Sequence, residues 1–253
     1  MAEKFEPIKH ISPDGILNKS IFLLRLFFDF QFSTIYSKLK KKLPYLQNNI
    51  LDVGCGNSPF KHLLDSSNTK YYGLDIDESN NFNYSRTDIT YFNGVDIPFD
   101  SEYFDNIICT EVLEHTQNPV RLINEMERVL KKNGTIILSV PWSARNHYIP
   151  YDYYRYTETT LSILFSNFTK VYIKPRGTDV TVIVNKIIVI YFRQFKKLQI
   201  SNFKLLLQFI ILAPFIAIFA PLIFVLLLIG HLSIIFNIGS TDDCLGYYLV
   251  ATK

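Results

Sequence analysis

The 253-residue chain reads as one α/β domain built on a parallel sheet, on three observations. Short runs rich in Ile, Val and Tyr alternate with a helix-patterned segment, the first run ends in a glycine turn, and a long apolar stretch follows late in the chain. Strand, helix, strand in this order implies parallel pairing with right-handed crossovers. The length suits one domain carrying an insertion better than two complete domains.

Residues 16–43 place apolar side chains at helical spacing and end in lysines before Pro44, which predicts an amphipathic leading helix that caps the core. Strands are expected at 49–53, 71–76, 104–110 and 134–140. A helix over 119–131 would bury Val120, Ile123, Met126, Val129 and Leu130 and stop at the Lys131-Lys132-Asn133-Gly134 run. A further strand is expected at 170–175. No internal repeat or low-complexity linker is visible.

Hydrophobic residues make up 48% of the chain and charged residues 19%, so something apolar has been added to an ordinary domain. A net charge of +3, from 26 basic and 23 acidic residues, gives no basis for expecting a nucleic-acid partner. Cys55, Cys109 and Cys244 are widely spaced and read as reduced core residues, which favours the cytoplasm. The first residues, MAEKFEPIKH, lack an apolar core and read as no cleavable signal peptide.

The segment Ile50-Leu51-Asp52-Val53-Gly54-Cys55-Gly56-Asn57-Ser58-Pro59 is an apolar strand running into a glycine turn, with a short helix expected at 59–64. In an open parallel sheet such a turn lies at the carboxyl edge, where ligands bind. Gly54 and Gly56 let the backbone approach a ligand, and Asp75, about twenty residues on at the end of a strand, can accept both hydroxyls of a ribose.

Four ordered blocks, ILDVGCGNSPF, GLDID, NGVDIPFDSEYFDNIICTEVLEH and RLINEMERVLKKNGTIILSVPW, resemble the class I S-adenosylmethionine-dependent methyltransferases, of the methyltransferase domain type 11 kind. The resemblance implies a Rossmann-like, doubly wound, mostly parallel seven-stranded sheet with an antiparallel last strand. It implies that Gly54, Cys55 and Gly56 pass the methionine part of S-adenosylmethionine and that Asp52 helps to hold its amino group. By the same carry-over Asp75 binds the ribose, Ile76 packs on the adenine, and Thr110 lines the cofactor site. The acidic residue that the family places four positions before Ile-Pro-Phe is Asn93 here, an acceptor without charge, with Asp88 as a possible substitute. Only 28 residues separate Asp75 from Phe104, so the usual second crossover helix should be short or absent.

Methyl transfer asks mainly that a nucleophile be held in line with an already activated methyl group. For a hydroxyl acceptor a base near neutrality would help, and His115 and His147 are the catalytic candidates by residue type. Helical spacing of Glu111, Glu114 and His115 would put three potential ligands on one face, a pattern some small-RNA methyltransferases resemble, with His147 able to mimic their later histidine. The string is read as structural or pocket-lining, and no metal is assigned. The stretch from Pro141 to Thr157 should form the acceptor side, with Trp142, His147, Tyr151, Asp152, Tyr154 and Arg155 as its wall.

Residues 205–230 contain no charged side chain, enough by length for a membrane span. The terminal run 244–253 resembles the family's last strand, which must return to the sheet, so one crossing would strand it on the wrong side. Residues 180–200, with Lys186, Arg193, Lys196 and Lys197, read as an interfacial helix whose basic flank favours anionic headgroups. Pro214 and Pro221 are expected to bend the apolar segment into a re-entrant or surface-lying hairpin on the cytoplasmic face of a membrane. A buried contact in a homodimer is the alternative.

The expected organisation is a helical cap (1–46), a methyltransferase core (47–177), an apolar insertion (178–240) and a last core strand (241–253). The leading function is methylation of a membrane-proximal acceptor such as a lipid, a lipid-linked glycan or a quinone-like molecule. A nicotinamide-dependent oxidoreductase is disfavoured by the missing third glycine, and a non-catalytic scaffold remains a third reading.

Overall fold

The computed structural model describes residues 12–82, 88–196 and 203–253. Residues 1–11 of the expected cap lie outside this description. Seven strands form one sheet: β1 (Asn48–Val53), β2 (Thr69–Ile76), β3 (Ile89–Phe92), β4 (Phe104–Thr110), β5 (Leu130–Pro141), β6 (Lys170–Arg176) and β7 (Gly246–Thr252). Their order is β3-β2-β1-β4-β5-β7-β6, with β7 antiparallel to both β5 and β6 and the other pairings parallel. This is the expected mostly parallel, Rossmann-like sheet with an inserted last strand.

Side-chain alternation along the strands builds two layers. Leu51, Val53, Ile107 and Cys109 point into a core shared with Leu122, Ile123, Met126 and Val129 of α3 (Pro119–Val129) and Leu161 of α4 (Glu158–Leu164). Ile50, Ile108, Ile137 and Tyr248 point the other way, onto Phe32, Ile35 and Leu39 of α2 (Phe30–Leu39). In α3 the buried face is Leu122 in place of the expected Val120, which stays half exposed, and Asn118 caps the helix by accepting from Arg121 N.

Several expectations are corrected. The leading helix is two helices, α1 (Ile16–Phe28) and α2, because Asp29 leaves the helical conformation (φ −113°) and spends its carboxylate capping α2 at Phe32 N. After the glycine turn only a single 3₁₀ turn forms, Lys61–Leu63, where a helix over 59–64 was expected. The run 131–134, read as a helix stop, belongs to β5, where two steps along β4 (Phe104 to Asn106) match five along β5 (Leu130 to Thr135). Between β2 and β3 the described residues carry a 3₁₀ segment, Asp77–Phe82.

The apolar insertion departs most from expectation. It is a helix pair, α5 (Asp179–Lys196) and α6 (Phe203–Phe236), and α6 runs unbroken through Pro214 and Pro221. A reversal needs turn residues, and 205–230 offers two prolines and a single glycine at its very end, so the prolines are absorbed within one helix. The pair is antiparallel: Thr178 and Thr181 at the start of α5 hydrogen-bond Ser233 near the end of α6, and the Asp179 carboxylate accepts from Ser240 N. Phe30 seats the pair on the domain, its ring filling the space beside Gly230 and packing with Val182, Ile188, Ile223 and Leu227.

Candidate active site

The carboxyl ends of β1, β2 and β4 meet at one edge. β1 runs into Gly54 (φ 66°) and Gly56 (φ 47°), and Gly54 N and Cys55 N both donate to Leu74 O, pinning the turn to β2. A Cβ on Gly54 would lie 2.3 Å from Val112 Cγ2, so a side chain has no room there. Asp75, 8% exposed, accepts from Gly56 N (2.9 Å) and Ile76 N (2.8 Å). Burial raises its carboxyl above the ordinary value, against the lowering effect of those two N–H groups.

Asp52, equally buried, accepts from the Tyr71 hydroxyl at 2.6 Å, and Ser58 Oγ supplies the next donor in the chain. Burial and the Asp52 charge keep the Tyr71 phenol firmly protonated. Sequence reading missed Tyr71: its only signal is its place in β2, opposite Ile50, next to the Asp52 register. Ile76 and Thr110 stand half-buried at the same edge. Asn93 is exposed and its Oδ1 accepts from Val95 N and Asp96 N, so both lone pairs serve the turn and none is left for an adenine amino group. Asp88 is tied to Lys61 at the surface (2.8 Å).

Beyond β4 the expected helical face of three ligands does not form. Glu111 adopts φ 55° and turns away to Ser139 Oγ and Arg176 Nη2, both 2.9 Å from its Oε1, and only a 3₁₀ turn, Leu113–His115, follows. Glu114 is fully buried with neither carboxylate oxygen hydrogen-bonded among the described residues, and burial, reinforced by Glu111, raises its carboxyl well above the ordinary range. His115 Nδ1 lies 2.8 Å from Tyr151 O; a carbonyl only accepts, so the neutral ring carries its proton there and leaves the Nε2 lone pair 3.6 Å from Glu114 Oε1. Burial pushes His115 down to about 4. The His147 ring meets His115 edge-on at 4.7 Å, and its backbone N–H donates to Asp152, which Arg155 grips at 2.6 and 2.9 Å.

The 141–157 loop, expected to form the acceptor side, is stitched down on this turn. Tyr153 N and Tyr154 N donate to Glu114 O, and the Tyr156 hydroxyl donates to Leu113 O. Glu114, His115 and His147 each present a ligand atom within 4.8 Å of the others, so they can hold a cation or, with Glu114 protonated, a proton facing a neutral imidazole. The second state makes a prediction. A Glu whose folded pKa is raised stays protonated while the unfolded chain ionises, so its stability contribution is present below about pH 4.5 and falls as pH rises. Glu114→Gln does not titrate, so its melting temperature should gain on the parent's from pH 5 to pH 8. A difference that is flat with pH in thermal melts would count against a protonated Glu114.

Comparison with known proteins follows the same edge. Residues 51–138, from β1 through β5, match a family model described as a methyltransferase domain. Over 97 residues the chain is 28% identical to a probable S-adenosylmethionine-dependent methyltransferase of Mycolicibacterium smegmatis, covering 37% of this chain and 38% of that one. Over 103 residues it is 30% identical to a ubiquinone biosynthesis O-methyltransferase of Glaesserella parasuis, covering 36% and 44%. The matched segment thus spans less than half the length of these relatives. The crystal structure of a SAM-dependent methyltransferase from Archaeoglobus fulgidus superposes with a TM-score of 0.53 at 16% identity, covering 92% of this chain and 99% of that one, a likeness of fold. With its sheet order, its glycine turn and its β1–β5 segment all of this type, residues 51–138 carry a methyltransferase domain on a class I S-adenosylmethionine-dependent methyltransferase fold, for which S-adenosylmethionine is the cofactor.

Proposed function

We propose that the protein transfers a methyl group from S-adenosylmethionine to an acceptor presented at a membrane, such as a lipid, a lipid-linked glycan or a quinone-like molecule. The observation that carries this reading is positional: α5 leaves β6 and α6 returns to β7 at the same edge that bears the Gly54 turn, Asp75 and the acceptor-side loop. Trp142 N and Ser143 N donate to Leu245 O, so the base of that loop is fastened to the chain returning from the helix pair.

The edge suits the cofactor by its own chemistry. Two buried carboxylates flank a turn in which Gly54 and Gly56 carry no side chain, an arrangement for an ammonium, a ribose and close backbone approach. On this reading Asp52 holds the amino group of the methionine part, Gly54, Cys55 and Gly56 line its path, Asp75 takes the ribose, Ile76 faces the adenine and Thr110 closes the floor. The bound cofactor supplies an activated methyl group, and the chain has to place the acceptor. With its pKa near 4, His115 is a poor general base and serves better as a neutral wall that orients what lies beside it. His147, with its backbone fixed by Asp152, is the better candidate to take a proton from a hydroxyl acceptor.

Calorimetry tests the cofactor and labelled S-adenosylmethionine tests the acceptor. Binding of S-adenosylmethionine without binding of NAD, and label appearing in the lipid extract of incubated membranes, are expected; label confined to water-soluble products would remove the membrane-proximal acceptor. Asp75→Ala should weaken cofactor binding by about 1.5–3 kcal/mol, the usual size for hydrogen bonds to a charged group. A change within calorimetric error would place the ribose elsewhere.

A further inference from the structure

We propose that α1, α5 and α6 form one bilayer-docking surface, selective for anionic lipid, that seats the carboxyl edge of the sheet against the membrane. The inference deepens the membrane-proximal reading above, and rests on it only for the acceptor.

The first support comes from α6. Its stretch Ala217–Phe236 has a mean hydropathy of 2.6, yet only 22% of it is buried, whereas a core helix of that composition would be enclosed. One side fastens to the domain through Ile223, Leu227 and Gly230, and the rest, Ile218, Val225, Leu228, Leu232, Ile235 and Phe236 among them, faces outward. Such a surface far exceeds the scattered apolar residues that water tolerates.

The second support is α1, expected from sequence to be a cap on the core. Phe22 is its one fully buried residue, while Ile16 and Leu17 are 90% and 73% exposed and Leu23 and Leu24 more than half exposed. The outer face of a capping helix would be polar; this one is apolar. It is also continuous with the insertion: Phe27 packs on Phe224 and stacks on His231 of α6, whose Nε2 bonds Phe27 O, and Phe28 meets Phe192 of α5 edge-on.

Charge selects the occupant. From 180 to 240 the sequence has five basic residues, Lys186, Arg193, Lys196, Lys197 and Lys204, and no acidic one, and α1 adds Lys19 and Arg25, the latter 3.7 Å from the Asp29 carboxylate at its C-cap. Lys186 and Arg193 are exposed on α5. A second copy of the chain would bring Lys186 and Arg193 against like charges, with no acidic residue between 180 and 240 to pair them. An anionic leaflet offers both the apolar phase and the counter-charge.

The test uses the full chain and vesicles of phosphatidylcholine with or without phosphatidylglycerol. Sedimentation should show tighter binding to the anionic vesicles, weakening as salt is added. Leu17→Asp with Leu24→Asp, at exposed positions seven residues apart on one helical face, should lower vesicle binding about tenfold without loss of fold. Lys186→Glu with Arg193→Glu should remove the preference for anionic lipid. Parent-like binding by the α1 variant would overturn the shared surface, and equal affinity for both vesicles would overturn the selectivity. A stable dimer in light scattering with no vesicle binding would make the occupant a second copy. Calorimetry with S-adenosylmethionine on the same variants separates the two ideas: a parent chain that binds vesicles but not the cofactor defeats the methyltransferase reading and leaves the docking surface standing.

Discussion

Gly56→Val is expected to abolish binding of S-adenosylmethionine, with a loss of at least about 3 kcal/mol, on the order of a hundredfold in Kd. Gly56 sits at φ 47°, where a β-branched side chain is strained, and its N–H holds the Asp75 carboxylate at 2.9 Å. A valine there strains the turn, disturbs Asp75 and fills the space through which the methionine part of the cofactor is proposed to pass. Gly54→Val is the less clean experiment, because its Cβ would meet Val112 and disturb packing as well as binding. Calorimetry read beside a thermal melt decides the matter. A variant that melts like the parent and no longer binds supports the assignment, and one that binds with unchanged Kd removes the 54–56 turn from the cofactor site.

What the sequence made legible was whatever depends on local pattern. β1, β2 and β4 are apolar runs buried on both faces, α3 repeats at helical spacing, and the last strand is an apolar run between polar ends, so each is visible without tertiary knowledge. β3 was not visible, since Ile-Thr-Tyr-Phe is four residues long and takes its strand character from pairing with β2. Nor was the break at Asp29, where one side chain chooses capping over helix continuation. At the site, the glycine turn and Asp75 announce themselves by spacing. The divergence of Glu111 from Glu114 and His115 does not, because it depends on one left-handed residue and on an arginine 65 positions away. Long-range partners of single charged residues leave no periodic trace in a chain.

That arginine sets the second large expectation: Arg176→Met should destabilise the fold by about 3 kcal/mol, toward the lower end for a broken buried pair because Glu111 keeps partial contact with solvent. Arg176 is fully buried at the end of β6, and its guanidinium donates to Glu111 Oε1 and Val140 O through Nη2, to Thr34 Oγ1 and Gln31 O through Nη1, and to Tyr247 O through Nε. It therefore ties α2, the ends of β5 and β7 and the turn after β4 into one joint at the edge where the helix pair departs. Methionine matches much of its length but withdraws a buried donor from each of these acceptors, leaving Glu111 Oε1 only Ser139 Oγ, and the loss falls on desolvated oxygens. Urea unfolding should show a lower midpoint with an unchanged slope, the mark of altered stability in an intact cooperative unit. Adding Glu111→Leu to Arg176→Met removes the stranded carboxylate and should recover part of the loss, giving a coupling outside additivity. A single variant as stable as the parent, or a double variant whose losses simply add, would mean that the joint is held by apolar packing and that the left-handed turn at Glu111 stands without its arginine.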